Sequence, residues 1–333
     1  MPRPYSNIDL LDSEQYIADL TRQVSQAKMR ICITGPIFTD DSSTHELIEA
    51  LLAAAERGVM VSIAADTFTY GELGGFFSPV QRFRKPVQDA MATAKKFKES
   101  GASFIWLADI YKFNPFAGIT HIKWAVVDEK TCYIFGGVNL YKLGIDSADY
   151  MFRITDPALA TQIAHQQTLI VAHDPLNSSY AGYKDTWGKG TLYIDSGVKH
   201  QSLIYDRAIE LASQAEEILC VSQYCPSGPL AKQLKQTKTT LYFNPPNNAP
   251  LPHNLLIQWD MIREGLKTQY TRKKYLHAKF MIFTMPGGKK IALTGSHNFS
   301  HAGVVFGTRE VALETKDITI IRQLESFFHT HVS

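Results

Sequence analysis

His121-Ile122-Lys123 followed by Gly136-Gly137-Val138-Asn139, and His277-Ala278-Lys279 followed by Gly295-Ser296-His297-Asn298, are two statements of one pattern. Each triplet sits in sequence that reads as strand, Ile119 to Val127 and Tyr275 to Phe283. A strand repeats every two residues, so the histidine and lysine of each triplet share a face and can reach one ligand together. A lone H-x-K is usually accidental. Two copies, each leading into an apolar strand, a turn and a G-[GS]-x-N tail, are not. One histidine, one lysine and one asparagine supplied twice make a two-sided site for a phosphate.

With these residues in place the chain resembles the phospholipase D superfamily, whose motif runs H-x-K, four residues, Asp, a short turn and G-[GST]-x-N. The first copy is His121, Lys123, Asp128, Gly136, Gly137 and Asn139, with one extra residue in the turn. The second keeps His277, Lys279, Gly295, Ser296 and Asn298, but has Thr284 in place of the aspartate. The resemblance runs from Leu11 to Phe328, its specific part being the two motifs. Its nearest branch is that of the cardiolipin synthase-like phosphatidyltransferases, through Gly136 to Leu140 and through Gln223-Tyr224-Cys225-Pro226-Ser227-Gly228-Pro229-Leu230. It implies a covalent phosphohistidine, with His121 the favoured nucleophile and His277 the acid and base, the reverse assignment staying open. It also implies that the motif aspartate is structural. Glu310 resembles the glutamate that follows the second motif in phosphatidyltransferases, and Asp149 holds the matching place after the first. Each is expected behind an imidazole, fixing its tautomer.

The chemistry fits the residue types. A neutral imidazole attacks phosphorus, and a second one protonates the leaving oxygen. Lys123 and Lys279 neutralise the non-bridging oxygens, while Asn139 and Asn298 donate hydrogen bonds to them. No metal or cofactor is called for. His297 and His301 lie near the second motif without acidic or thiolate ligands at metal spacing, and are expected to shape the pocket.

The repeat extends beyond the motifs. A helix from Ser13 carrying Ile17, Leu20, Val24 and Ala27 precedes a strand at Met29 to Ile37, and Ile204, Ala208, Leu211 and Ala215 line a helix before a strand at Ile218 to Gln223. A helix from Thr44 to Arg57, closed by Gly58, leads to a strand at Val59 to Ala65. Its counterparts are Pro229 to Gln236 and Thr239 to Phe243. The expected fold is α/β: two pseudo-symmetric phospholipase D-like repeats, each a mixed sheet flanked by helices, with the active site in the cleft between them. The first half spans 1–176, a linker 177–190, and the second half 191–333. An insertion at 67–118 has no counterpart in the second half. It carries Gly71 to Phe77, the basic run Arg82 to Lys85, and a helix from Val87 to Glu99. It reads as a covered loop and packed helix, or as a lid or acyl-chain contact.

The 333 residues can bury a sizeable core, and 34 basic against 32 acidic side chains leave a net charge of +2, so no global field attracts polyanions. Cys32, Cys132, Cys220 and Cys225 lack paired zinc spacing and read as buried thiols in a reducing compartment. With neither a signal-like start nor eighteen consecutive apolar residues, the expected location is the cytoplasm, with peripheral membrane contact. Both half-sites fall in one chain, so a monomer is expected. The expected substrate is a phospholipid or other phosphodiester. A second reading is a nuclease, with Lys267, Arg272, Lys273 and Lys274 interleaved with Tyr270 and Tyr275 on a nucleic-acid backbone. A third is a non-catalytic binder of a phosphorylated ligand.

Overall fold

The computed structural model describes residues 8–75, 80, 83–108, 119–174, 180–251 and 253–333. Parts of the 67–118 insertion, including Phe76, Phe77 and Arg82, and the start of the 177–190 linker lie outside the described residues.

The first half opens with β1 (Ile8–Asp12), α1 (Ser13–Gln26), β2 (Arg30–Gly35), α2 (His45–Glu56) and β3 (Met60–Asp66). Asp12 starts α1 through a capping box with Gln15. Gly58 ends α2 at a positive φ of 87°, a conformation that glycine adopts without a Cβ clash. Next come α3 (Phe68–Gly74), α4 (Lys85–Glu99), β4 (Ser103–Leu107), β5 (Trp124–Val127), β6 (Thr131–Ile134), α5 (Lys142–Asp146), β7 (Tyr150–Thr155) and α6 (Pro157–Ala172). The second half supplies β8 (Tyr183–Trp187), β9 (Gly190–Ile194), α7 (Leu203–Gln214), β10 (Glu217–Val221), α8 (Pro229–Gln236), β11 (Lys238–Tyr242), α9 (His253–Glu264), β12 (Phe280–Thr284), β13 (Lys290–Gly295), α10 (His301–Phe306), β14 (Val311–Thr315) and α11 (Ile318–Phe327).

Among the described residues the strands form two seven-stranded sheets, ordered β1-β7-β6-β5-β2-β3-β4 and β11-β10-β12-β13-β14-β9-β8. Read in opposite directions, six strands of each correspond in order, from β1 with β9 through β7 with β14 to β3 with β11. The parallel pairs β2/β3 and β10/β11 occupy matching places, and the neighbours of the motif strands are antiparallel. In each half an aspartate after the last shared strand caps the returning helix, Asp156 for α6 and Asp317 for α11. β4 is the insertion's addition, pairing parallel with β3. β8 lies within the 177–190 stretch expected as a surface crossing, and it is instead an edge strand of the second sheet. The sequence signal there was polar because an edge strand keeps one margin in water.

Three apolar clusters hold the layers. One is built on the outer side of the first sheet with α1, α2 and α4 through Leu20, Leu51, Phe97 and Phe104. Its counterpart in the second half uses Ala208, Leu211, Leu230 and Phe243. The third is shared by both halves, joining Trp124, Tyr150 and Phe152 to Phe280, Val311 and Leu313 and taking in α6 and α11. Tyr150 shows how tight this junction is, since its hydroxyl meets Thr294 Oγ1 at 2.5 Å and donates to the Lys279 carbonyl at 3.2 Å. No helix among the described residues is long and apolar enough to cross a membrane.

Candidate active site

The strands that the motifs were expected to occupy are shorter than expected. β5 begins at Trp124 and β12 at Phe280, so each His-x-Lys triplet is the extended approach to its strand rather than part of it. The reason is a change of partner. Thr120 bridges Arg309 and Leu276 bridges Ala148, each in the opposite half. The His121 amide donates to the Arg309 carbonyl at 2.8 Å, and the His277 amide to the Ala148 carbonyl at 3.0 Å. The residue before each histidine is thereby paired with the residue before the other half's acid. Buried anchors fix the approach: Asp66 accepts the Thr120 amide at 2.7 Å, and Asn244 accepts the Leu276 amide at 2.8 Å.

This crossing places each carboxylate behind the opposite imidazole. Asp149 Oδ2 is 2.6 Å from His277 Nδ1. Glu310 lies 3.1 and 3.3 Å from His121 Nδ1 through its two oxygens, and Ser296 Oγ donates to it. Both histidines line one cleft with Asn139, under walls from both halves. Lys123 and Lys279 are buried behind them, each donating to the carbonyl of its own histidine. Among the described residues the Oδ1 atoms of Asn139 and Asn298 are buried with no hydrogen-bond partner. Asn298 is half-buried, and its carbonyl receives Ser222 Oγ at 2.8 Å.

The tail glycines are demanded by that geometry. A Cβ on Gly136 would sit 1.9 Å from the Tyr150 carbonyl oxygen, and one on Gly295 2.1 Å from that of Val311. These are the first residues of β7 and β14, next to the two acids. On Gly137 a Cβ would strike the Asp149 carboxylate at 2.6 Å, whereas at the matching place Ser296 is accommodated and serves Glu310. Asp128 explains the broken motif. It sits at the far end of β5 and accepts the amides of Lys28, Met29 and Arg30 at 2.8 to 3.4 Å, holding the entry to β2. Thr284 ends β12 in the same way, remote from His277, and the chain there is tied by Glu216 donating to the Thr284 carbonyl at 2.8 Å.

Burial dominates the electrostatics. It holds His121 well below its ordinary value, helped by the charges of Lys123 and Lys279, and it lowers His277, helped by Lys279 and opposed by Asp149. Burial pushes Lys279 down to about 7 and Lys123 down to about 8. Burial also acts to raise both acids. For Asp149 the opposing pull of His277, Lys279 and the Tyr150 amide wins and holds it low, while Glu310 stays raised despite His297, Lys123 and Ser296. The two imidazoles are therefore inequivalent: His277 has an ionised carboxylate close behind it, His121 a weaker and shared one.

Neither His297 nor His301, expected to shape the pocket, is among the described residues that line the cleft; both belong to the packing behind it. His297 Nδ1 accepts the Phe299 amide at 2.8 Å, and its ring lies 5.8 Å from that of Tyr205, which also flanks His301 at 5.7 Å. Sequence reasoning missed the group across the cleft from the histidines. Glu72 on α3 accepts the Tyr141 hydroxyl at 3.0 Å and is 3.8 Å from His253 on α9, whose ring meets that of Tyr224. Glu72, Tyr141, Tyr224 and His253 all line the cleft. They come from four separate segments with no motif spacing, so nothing in the sequence groups them.

The family described as cardiolipin synthase, PLD-like domain, matches residues 20–168, which include His121, Lys123, Asn139 and Asp149. No curated protein matches the sequence. The structure is similar to that of phosphatidylserine synthase from Haemophilus influenzae Rd KW20, with a TM-score of 0.74 over 100% of this chain and 88% of that chain, at 11% identity. It is also similar to polyphosphate kinase from Porphyromonas gingivalis, with a TM-score of 0.60 over 96% of this chain and 49% of that chain, at 14% identity. At such identities the likeness is one of fold. All four cysteines are buried as free thiols.

Proposed function

Starting from a chain that belongs to the phospholipase D superfamily, we propose that it is a phosphodiesterase or phosphatidyltransferase acting on phospholipids through a covalent phosphohistidine. The observation that carries this reading is the reciprocal crossing: each imidazole is held through Nδ1 by a carboxylate of the other half, and both imidazoles line one cleft. With Nδ1 committed, Nε2 is the reactive nitrogen of each ring.

His121 attacks phosphorus with its neutral Nε2, the bond to the alcohol oxygen breaks, and His277 gives that oxygen a proton. His277 suits the acid role because the ionised Asp149 behind it stabilises the imidazolium, and the arriving phosphate adds further negative charge. Water or a second alcohol then loses its proton to His277 and attacks phosphorus, releasing His121. Lys123 and Lys279 supply positive charge against the phosphoryl oxygens, and Asn139 and Asn298 supply amide hydrogen bonds as charge builds there. Asp149 and Glu310 act through the histidines. No step calls for a metal, and the active unit is one chain.

A nucleic-acid substrate has less support. Of the aromatics interleaved with the basic run, Tyr270 is buried and donates to the Lys274 carbonyl at 2.5 Å, while Tyr275 is bonded by Gln223 at 3.0 Å. Tyr270 therefore has no open face for base stacking, while Tyr275 is half-buried and lines the cleft with the two histidines. A non-catalytic binder has no use for two carboxylate-backed imidazoles.

The test is an intact mass spectrum after brief incubation with phosphatidylglycerol vesicles and a short oligonucleotide, quenched in alkaline denaturant. A phosphatidyl-sized adduct, lost in His121→Asn and accumulating in His277→Asn, is expected. A nucleotide-sized adduct would transfer the protein to the nuclease reading. Unchanged hydrolysis of a simple phosphodiester in both variants, against an expected loss of about 10²–10⁴-fold, would end the catalytic reading.

A further inference from the structure

α9 is built inside out. A helix packed on a globular core ordinarily turns its apolar side inward and its charged side to water. Here the inward face carries Ile257 together with Asp260 and Glu264, all buried, and Glu264 accepts the Gly228 amide at 3.0 Å. The outward face is apolar: Leu255 is 60% exposed, Trp259 64% and Ile262 74%, with Leu251 at 71% just before the helix. At 100° per residue, Leu255, Trp259 and Ile262 fall within about 60° of one another, opposite Ile257. Single exposed leucines are ordinary, but a contiguous stripe with a tryptophan at its centre marks an interaction surface.

Two further observations say what covers it. Between Leu251 and Leu276 the chain carries Arg263, Lys267, Arg272, Lys273 and Lys274 against Asp260 and Glu264, a local charge of +3 in a chain of net +2. Lys267, Lys273 and Lys274 are exposed. Arg263, by contrast, is neutralised by Asp260 and Glu264, each at 2.9 Å. The second observation is position. His253, the first residue of α9, lines the cleft with His121 and His277, so the amino end of α9 borders the site.

We propose that α9 docks on an anionic phospholipid bilayer, its outward stripe entering the interface while Lys267, Lys273 and Lys274 meet the headgroups, so that a phosphatidyl headgroup is delivered to the cleft past His253. A helix lying in the plane of the interface needs this pattern, and aromatic and basic flanks favour the headgroup level. Its membrane affinity does not depend on bond breaking, although its purpose rests on the phospholipid reading above.

The experiment uses the full chain, vesicles of phosphatidylglycerol mixed with phosphatidylcholine, and vesicles of phosphatidylcholine alone. Wild-type protein should sediment with the anionic vesicles, with a blue shift of Trp259 emission. Trp259→Glu/Ile262→Glu should lower that partitioning at least about tenfold, while its hydrolysis of a water-soluble phosphodiester stays at the wild-type rate. Lys273→Gln/Lys274→Gln should lower binding about tenfold on anionic vesicles and leave the neutral ones unaffected. His121→Asn should bind vesicles like wild type. Absence of vesicle binding, equal binding by the Trp259→Glu/Ile262→Glu variant, or a wild-type dimer that this variant dissociates without any vesicle effect would each overturn the proposal. Vesicle binding with the expected losses but no phosphohistidine would leave the docking face standing and remove the catalytic reading.

Discussion

Lys123 and Lys279 set an opposition between activity and stability. Both are wholly enclosed, and burial lowers them to about 8 and about 7. A lysine lowered in this way loses its charge as pH rises through the folded value. We therefore expect kcat/KM for a soluble phosphodiester to fall between about pH 7 and 8, and kcat, measured with the phosphate anion already in the site, to persist to higher pH. Stability should move the other way. Unfolded lysines keep their protons to about 10.5, so over this interval the unfolded chain binds more protons and the ligand-free fold gains stability with pH. The window closes near the ordinary cysteine value of 9.0, because burial raises Cys32, Cys132, Cys220 and Cys225 and their deprotonation favours unfolding. The raised carboxyls of Asp66 and Asp195, both at about 7, oppose the lysines at the lower end of this interval. Urea unfolding at pH 7 and 8.5 of wild type beside Lys279→Met, with a pH–rate profile, checks both signs, and a pH dependence of stability unaltered in Lys279→Met would refute the lysine assignment.

The strand ends carry different duties in the two repeats. Gly136 and Gly295 let the motif strands run against the carbonyls of Tyr150 and Val311, so Gly136→Ala and Gly295→Ala should each cost about 1–3 kcal/mol or more and displace the adjacent acid. Denaturant midpoints and kcat should fall together in these variants. Asp128 belongs to the other end of β5, where its carboxylate holds the backbone of residues 28–30. Asp128→Ala should therefore lose about 1–3 kcal/mol of stability with kcat unchanged, and Thr284→Asp should not raise kcat. A loss of kcat in folded Asp128→Ala would return this aspartate to the chemistry. The motif strands were legible because their apolar runs are bounded by turn residues, and α1, α2, α4, α7 and α8 because their buried positions recur every three or four residues. α9 was not read, since its polar-in, apolar-out arrangement defeats the usual pattern. β8 was read as a crossing because an exposed edge strand has the composition of one.

The assembled molecule owes its site to the junction of the halves. Neither motif histidine is backed by an acid of its own repeat: His121 is held by Glu310 and His277 by Asp149. Arg309, fully buried, reinforces this seam by donating to Ser196 O at 3.3 Å and Thr120 Oγ1 at 3.4 Å, with its guanidinium 5.1 Å from the Tyr180 ring. If one chain is the active unit, an equimolar mixture of His121→Asn and His277→Asn chains should stay as inactive as either alone. Recovery of about a quarter of wild-type activity on mixing would reveal sites shared between chains.

What the sequence determined by itself is the repeat and the places of its two motifs and of the two candidate acids. These are local: a motif written twice, a strand entry, an acid opening the strand that follows. What the tertiary structure decided is which acid stands behind which histidine, that Asp128 lies at the far end of β5 from the histidine, and how Glu72, Tyr141 and His253 come to line one cleft with the two imidazoles. The two histidine–acid pairs join residues 128 and 189 positions apart, His277 with Asp149 and His121 with Glu310, across a seam between two sheets. A strand's own sequence encodes its period and burial, but the partner across a packed interface is set by how whole layers fit together.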